Sequence, residues 1–208
     1  KWTTRGKHSA EMAELASIMA KYIANIERDS SLGEDLEIIL KTASKFHDLQ
    51  NLPLGHYVEK IVRKFFSSEW MSKNIYEKYN LTFEQIEEFK NFDANAKTFS
   101  ELVNRSELGG LVSAIVATVK YPFGVSDVLQ KRGKKIGYFL KDREKFLDIS
   151  KKAGTPKDES GNYTRHPFVY LLEALDDISY VLGDLRDFVD MGSLTQNEVK
   201  ALYAKIAQ

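Results

Sequence analysis

The sequence predicts an all-α fold, and three observations predict it. Apolar residues recur at steps of three and four along most of the chain, the period of one helix face. Only four prolines and twelve glycines punctuate its 208 residues. No stretch of useful length alternates with the period of two that a half-buried strand needs.

The elements follow in order. Over residues 9–26, Met12, Leu15, Ala16, Met19, Ile23 and Ile26 form one stripe. Ser9 is the expected cap there, with Glu11 and Glu14 near the positive end of the helix dipole. After a polar loop from Asp29 to Gly33, Leu36, Ile39, Leu40, Ala43 and Phe46 make a second stripe that ends at His47-Asp48. Asn51-Leu52-Pro53-Leu54-Gly55 reads as a turn, and a helix restarting near His56 carries Ile61, Val62, Phe65 and Phe66. Residues 82–92 present Phe83, Ile86 and Phe89. Residues 95–103 and 108–120 follow; the second stretch is nearly all apolar, hence central, and Tyr121-Pro122 stops it. Residues 125–138 are mixed, with the basic run Lys131-Arg132-Gly133-Lys134-Lys135 at their centre, and residues 154–164 form a loop. A long helix is expected over 166–191, with Pro167 in its first turn, and a short one over 195–207, capped by Ser193 or Thr195.

Composition excludes several function classes. Thirty basic residues balance thirty acidic ones, which argues against a globally basic nucleic-acid binder but leaves room for a local patch. A 43% hydrophobic and 12% aromatic content excludes disorder of the whole chain. No apolar run approaches the ~18–20 residues of a membrane helix. The longest, around 111–119, is broken by Ser113 and Thr118. Cysteine is absent, so any metal must be held by His, Asp, Glu or water. No signal peptide is visible, and the expected location is the cytoplasm.

A few polar residues do not fit a packing pattern. His47-Asp48 ends an apolar stripe; it reads either as a helix C-terminal histidine bonded to the last carbonyls, or as a nitrogen and an oxygen ligand for a divalent cation. Such a site needs further ligands, and His8 and Asp176-Asp177 are the candidates. An aspartate between Leu175 and Ile178 is either on a solvated face or buried with a partner.

The order His8, His47-Asp48, Asp176 resembles the H…HD…D pattern of HD-domain metal-dependent phosphohydrolases. The flanks are more specific. Arg5-Gly6-Lys7-His8-Ser9-Ala10-Glu11 resembles the R-x-x-H-S-x-E segment of the dGTPase family of deoxynucleoside triphosphate triphosphohydrolases. The segment from His47 to His56 is similar to that family's HDIGNPPFGH, and Phe92-Asp93-Ala94-Asn95-Ala96-Lys97 to its FEGNAQ. Lys120-Tyr121-Pro122 with Gly137-Tyr138-Phe139 resembles KYP…GYF; Arg165-His166-Pro167 and the segment from Glu173 to Tyr180 resemble RHP…EAADDISY. Gln50, Leu52 and Leu54 depart from the family's Gly, Pro and Phe, and Asp93-Ala94 and Lys97 from its Glu-Gly and Gln. These departures flank the ligands without replacing any.

The resemblance implies an all-α HD-domain helical bundle with a metal site at its centre. It implies that residues 1–208 are a single HD-type catalytic core, and the start at Lys1, with Met12 as first methionine, adds the expectation of a longer chain. The implied metal ligands are His8, His47, Asp48 and Asp176, for Mn, Mg, Fe, Ni or Co. Asp176 is preferred to Asp177 because it lies four residues before Tyr180; Asp176, Tyr180 and Asp184 then share one helix face. The implied catalytic residues are His56 and Glu59, also on one face. The alternative for His56 is a turn cap. Arg5, Asn51, Lys120, Tyr121, Tyr180 and Asp184 are the implied substrate-binding residues, with Tyr180 and Asp184 against the deoxyribose.

The implied reaction is dNTP plus water giving deoxynucleoside and inorganic triphosphate. Two other readings compete: an HD phosphohydrolase for another nucleotide such as a dNMP, and a nucleotide-binding regulatory or assembly subunit without turnover. The expected partners are the dNTP, further copies of the chain in a homo-oligomer (a hexamer on the family's pattern) and single-stranded nucleic acid, with no membrane. The basic run at 131–135 is either a solvated loop or a contact for polyphosphate or single-stranded nucleic acid.

Overall fold

The computed structural model describes residues 5–105, 111–133 and 135–206. Eleven α-helices and no strand occur among the described residues, as the three- and four-residue spacing predicts. They are α1 (Arg5–Glu27), α2 (Ser30–Phe46), α3 (His56–Phe66), α4 (Glu69–Met71), α5 (Phe83–Lys90), α6 (Ala94–Val103), α7 (Val112–Ala117), α8 (Val125–Leu129), α9 (Arg143–Lys152), α10 (Pro167–Asp190) and α11 (Gln196–Ile206). A π-helical turn, Ser72–Tyr76, follows α4, and a 3-10 turn, Leu140–Asp142, leads into α9. The loop before α10 holds one isolated antiparallel bridge, Lys157 to Tyr163.

Helices α1 and α2 form an antiparallel hairpin. Asp29 caps α2 by accepting from the N–H groups of Ser31 and Leu32 at 2.9 and 3.1 Å. Near the turn, a Cβ on Gly33 would lie 2.7 Å from the Ala24 Cβ, so glycine is what lets the two helices approach. The hairpin packs on α7 and α10. Met12 and Ala16, Leu40 and Ala43, Ala114 and Ala117, and Leu172 and Leu175 meet in one buried cluster. A second cluster joins Phe99 and Leu102 of α6 to Ile115, Val119, Tyr138 and Phe146.

Several expectations change. Ser9 is not a cap, because α1 already begins at Arg5 and Ser9 lies inside it. The central apolar helix is shorter than its hydropathy suggests: α7 ends at Ala117, and Thr118 turns back to donate its hydroxyl to the Ile115 carbonyl. Residues 108–110 of that expected helix lie outside the described residues. Helix α9 was not expected, and it buries Phe146 and Ser150. Ile61, Phe65, Phe83 and Phe89 remain exposed, so α3 and α5 carry apolar faces that the core does not take up. Pro167 does open α10, with the His166 ring accepting from the Phe168 N–H at 3.2 Å. Thr195 caps α11, accepting from the Glu198 N–H at 3.3 Å. Among the described residues no helix is long and apolar enough to cross a membrane.

Candidate metal and catalytic site

The stripes that build the core run on into polar residues. His8 lies one turn before Met12, His47 one turn beyond Ala43, and Asp176 one turn beyond Leu172. The helix faces that bury the apolar side chains therefore carry these three groups to one place. One donor atom from each of His8, His47 and Asp176 falls within 4.8 Å of the others, so the trio could hold a metal ion.

The hydrogen bonds around the trio fit a cation. His47 Nδ1–H donates to the Ser44 carbonyl at 2.9 Å, which leaves Nε2 as a lone pair. That Nε2 is buried without a hydrogen-bond partner. It points between carboxylates, 3.4 Å from Asp48 Oδ1 and 3.6 Å from Asp176 Oδ1. A buried lone pair facing two anions is costly unless something positive sits between them. His8 Nε2 lies 3.0 Å from Asp176 Oδ1, and its Nδ1 lies 3.0 Å from the buried Ser179 hydroxyl. With Nδ1–H donated to Ser179, a metal ion could take the place of the proton that His8 Nε2 shares with Asp176, the usual second-sphere arrangement of a ligating histidine. Asp48 sits at the edge of the trio, where Asn51 Nδ2 donates to its Oδ1 at 2.5 Å.

The electrostatics agree with the hydrogen bonds. Burial pushes the Asp176 carboxyl up, but the His47 and His8 rings and the Lys120 ammonium hold it far below the usual carboxylate range. Burial pushes the His47 pKa down, yet Asp176 and Asp48 raise it overall. Surroundings that favour a proton on His47 also favour a metal cation in its place. Nitrogen and oxygen donors without sulfur suit Mn, Fe, Mg, Ni or Co.

A second pair stands at the start of α3. His56 Nδ1 and Glu59 Oε2 are 2.8 Å apart, and the Ala94 N–H donates to Glu59 Oε1 at 3.2 Å. The His56 side chain is 79% exposed while Glu59 is 3% exposed. A buried carboxylate thus orients an imidazole whose Nε2 is free to meet a ligand. Burial pushes the Glu59 carboxyl up, but His56 and the Ala94 N–H keep it below its ordinary value.

A cavity of about 350 Å³ lies beside the trio, with His8, Asp48, Asn51, Tyr180 and Asp184 among its walls, and it extends to Gly55, the residue before His56. The Tyr180 ring lies 4.8 Å from the His8 ring, and Asp177 points away into solvent. Lys120 Nζ reaches to 3.6 Å from Asp176 Oδ2. The Tyr121 ring lies between Lys135 Nζ at 5.1 Å and the Arg165 guanidinium at 5.9 Å. A larger cavity, about 920 Å³, is lined in part by the segment from Lys120 to Gly124. Lys120 and Tyr121 are among its walls, whereas His8 and Asp48 line the smaller one. The Arg5 side chain lies outside the described residues.

Supporting residues escaped the sequence reading. Ser44 acts through its backbone carbonyl, which no side-chain pattern reveals. Ser179 lies in the same segment as Asp176, and nothing in the pattern marks its hydroxyl as a partner of His8. Asn95 spans from α6 to the segment carrying Lys120: its Nδ2 donates to the Thr118 carbonyl at 2.6 Å, and its Oδ1 accepts from the Lys120 N–H at 3.1 Å. Glu11 and Arg186 form a two-point ion pair beside the cavity, at 2.7 and 3.3 Å. In the basic run, Lys131 and Arg132 are exposed and Arg132 pairs with Asp127, whereas Lys135 turns inward. Lys134 lies outside the described residues.

Comparison with known proteins points the same way. No family model matches the chain. It is 30% identical, over 94% of its own length and 45% of the relative's, to a protein of Listeria monocytogenes named deoxyguanosinetriphosphate triphosphohydrolase-like. A Pseudomonas aeruginosa protein of the same name is 31% identical over 96% of this chain and 47% of its own. A deoxyguanosinetriphosphate triphosphohydrolase of Serratia proteamaculans is 26% identical over 99% of this chain and 46% of its own. The chain spans about half the length of the curated relatives it matches.

Proposed function

We propose that the chain is a dGTPase-type catalytic core that hydrolyses a deoxynucleoside triphosphate to the deoxynucleoside and inorganic tripolyphosphate. One observation carries the reading: the buried, unpartnered His47 Nε2, aimed at Asp48 and Asp176 beside a cavity that also contains Tyr180 and Asp184. The names of the relatives support a triphosphohydrolase, and dGTP is the first substrate to test.

His8, His47 and Asp176, with Asp48 at their edge, would hold a divalent ion, which would supply Lewis acidity at the α-phosphate and lower the pKa of water. The protein's own groups do the rest. Lys120 and Arg5 neutralise phosphate oxygens, with Tyr121 alongside. Asn51 fixes the Asp48 carboxylate. Tyr180 packs against the deoxyribose, where it excludes a 2′-hydroxyl, and Asp184 accepts from the 3′-hydroxyl. The oxygen of water joins the α-phosphorus, the bond to the 5′-oxygen breaks, and the proton that water loses passes to solvent, from which His56 is reprotonated after the turnover. His56 Nε2–H delivers a proton to that departing oxygen, while Glu59 holds Nδ1–H and balances the imidazolium. A dNTP substrate places the reaction in the cytoplasm. Self-association, a hexamer on the family's pattern, and binding of single-stranded nucleic acid near Arg132 belong to the same reading; light scattering and oligonucleotide titration test them.

The deciding experiment incubates the protein with each dNTP and with dNMP, plus Mn or Mg, and separates the products. Tripolyphosphate with deoxynucleoside is expected. Orthophosphate from dNMP, or tight dNTP binding without any product, contradicts the reading.

A further inference from the structure

Glu59 depends on a neighbour that is itself under electrostatic load. Its second hydrogen-bond partner, the Ala94 N–H, is the first residue of α6, and Asp93 caps that helix by accepting from the Asn95 N–H at 2.9 Å. Asp93 is 3% exposed. Its other oxygen, Oδ2, has no hydrogen bond of good geometry and faces two cations: Lys135 Nζ at 3.0 Å and Arg63 Nη1 at 4.0 Å. Arg63 lies one turn beyond Glu59 on α3 and donates to the Phe92 carbonyl at 3.1 Å. The peptide that serves Glu59 is thus gripped by α3 on one side and by Lys135 on the other.

The backbone near Lys135 is pinned as well. Gly137 N–H donates to the Phe123 carbonyl at 2.8 Å, and a Cβ on Gly137 would lie 1.6 Å from the Tyr121 carbonyl oxygen, so only glycine permits this approach. Residues 135–137 are thereby fastened to the segment that carries Lys120 and Tyr121, and the Lys135 ammonium also faces the Tyr121 ring.

We infer that Lys135 is a positioning residue: its ammonium neutralises buried Asp93 and so keeps the Ala94 N–H, and with it the Glu59 carboxylate, set beneath His56. This inference rests on the roles proposed above for His56 and Glu59. The groups that face Glu59 are His56 from α3, the Ala94 N–H from α6 and Lys135 from the segment after α8. Those that face Lys135 are Asp93, Tyr121 and Glu59. Burial lowers the Lys135 pKa, but Asp93 raises it overall, as a committed ion pair requires. Without the ammonium, Arg63 at 4.0 Å is the one cation left beside Asp93 among the described residues, and an undercompensated buried carboxylate protonates or turns away.

The test needs no turnover. In the full chain, the Glu59 carboxyl is titrated by 13C NMR in wild type, Lys135→Met and Lys135→Arg. The wild-type midpoint lies below that of ordinary glutamate, Lys135→Met raises it by about one pH unit, and Lys135→Arg restores it. Lys135→Gln serves if the Met variant does not fold. An unchanged midpoint in the neutral variant overturns the inference. Kinetics give a second readout: kcat for dNTP hydrolysis falls about tenfold in Lys135→Met with KM nearly unchanged. A raised KM with intact kcat points to direct phosphate contact and overturns it too. A shifted midpoint in a protein that releases no tripolyphosphate supports the positioning role while the proposed reaction fails.

Discussion

The candidate metal cluster and the His56–Glu59 pair are built by different means. His8, His47 and Asp176 continue helix faces whose remaining residues, from Met12 to Leu175, are the main core. Glu59 and His56 stand on α3, whose Ile61 and Phe65 stay exposed, and are held by polar links to Ala94 and Asp93. Core packing places the proposed ligands; a small set of hydrogen bonds and ion pairs places the proposed catalytic pair. The ligand side should therefore tolerate loss of polar groups without unfolding, and the pair side should respond to changes that leave the core untouched.

The sharpest break is Asp176→Ala, which should abolish metal binding by calorimetry and tripolyphosphate release while circular dichroism retains its helical signal. Full activity in this variant removes the metal assignment. Glu59→Gln should keep the metal and lose about 10²- to 10⁴-fold in kcat, because His56 loses its orienting anion; an unaffected kcat removes its role. Leu40→Ala, in the fully buried cluster, should lower stability by about 2–5 kcal/mol in urea titration, with kcat at saturating metal close to normal. Ser179→Ala removes the hydrogen bond behind His8 and should weaken metal affinity about 10- to 100-fold. Ile61→Ala, on the exposed face of α3, should change stability by no more than about 0.5 kcal/mol, and a much larger loss would show that this face is covered in solution.

Legibility in the sequence follows the same division. Periodicity finds α1, α2 and α10 because each is long and keeps one apolar face. It misses α9, where Phe146, Leu147 and Ile149 are the apolar residues among charged ones and the buried Ser150 leaves no hydropathy signal. It places the start of α1 too late because Gly6 and Lys7 break the apolar pattern before His8. The ligands are legible as side chains that interrupt a stripe. Their supports are not: Ser44 contributes a carbonyl, and Lys135 sits in a charge run that local sequence presents as solvated. Its inward turn depends on Asp93, forty-two residues earlier, and on the close approach at Gly137. Long-range ion pairs of this kind have no local pattern.

The central claim is attack of water at the α-phosphorus with departure of the 5′-oxygen. Hydrolysis of dGTP in 18O-enriched water with added Mn, followed by mass spectrometry of the products, tests it most directly. The label should appear in one terminal phosphate of tripolyphosphate, with the deoxynucleoside unlabelled. Label in orthophosphate or pyrophosphate, or in the 5′-hydroxyl of the nucleoside, would contradict the account.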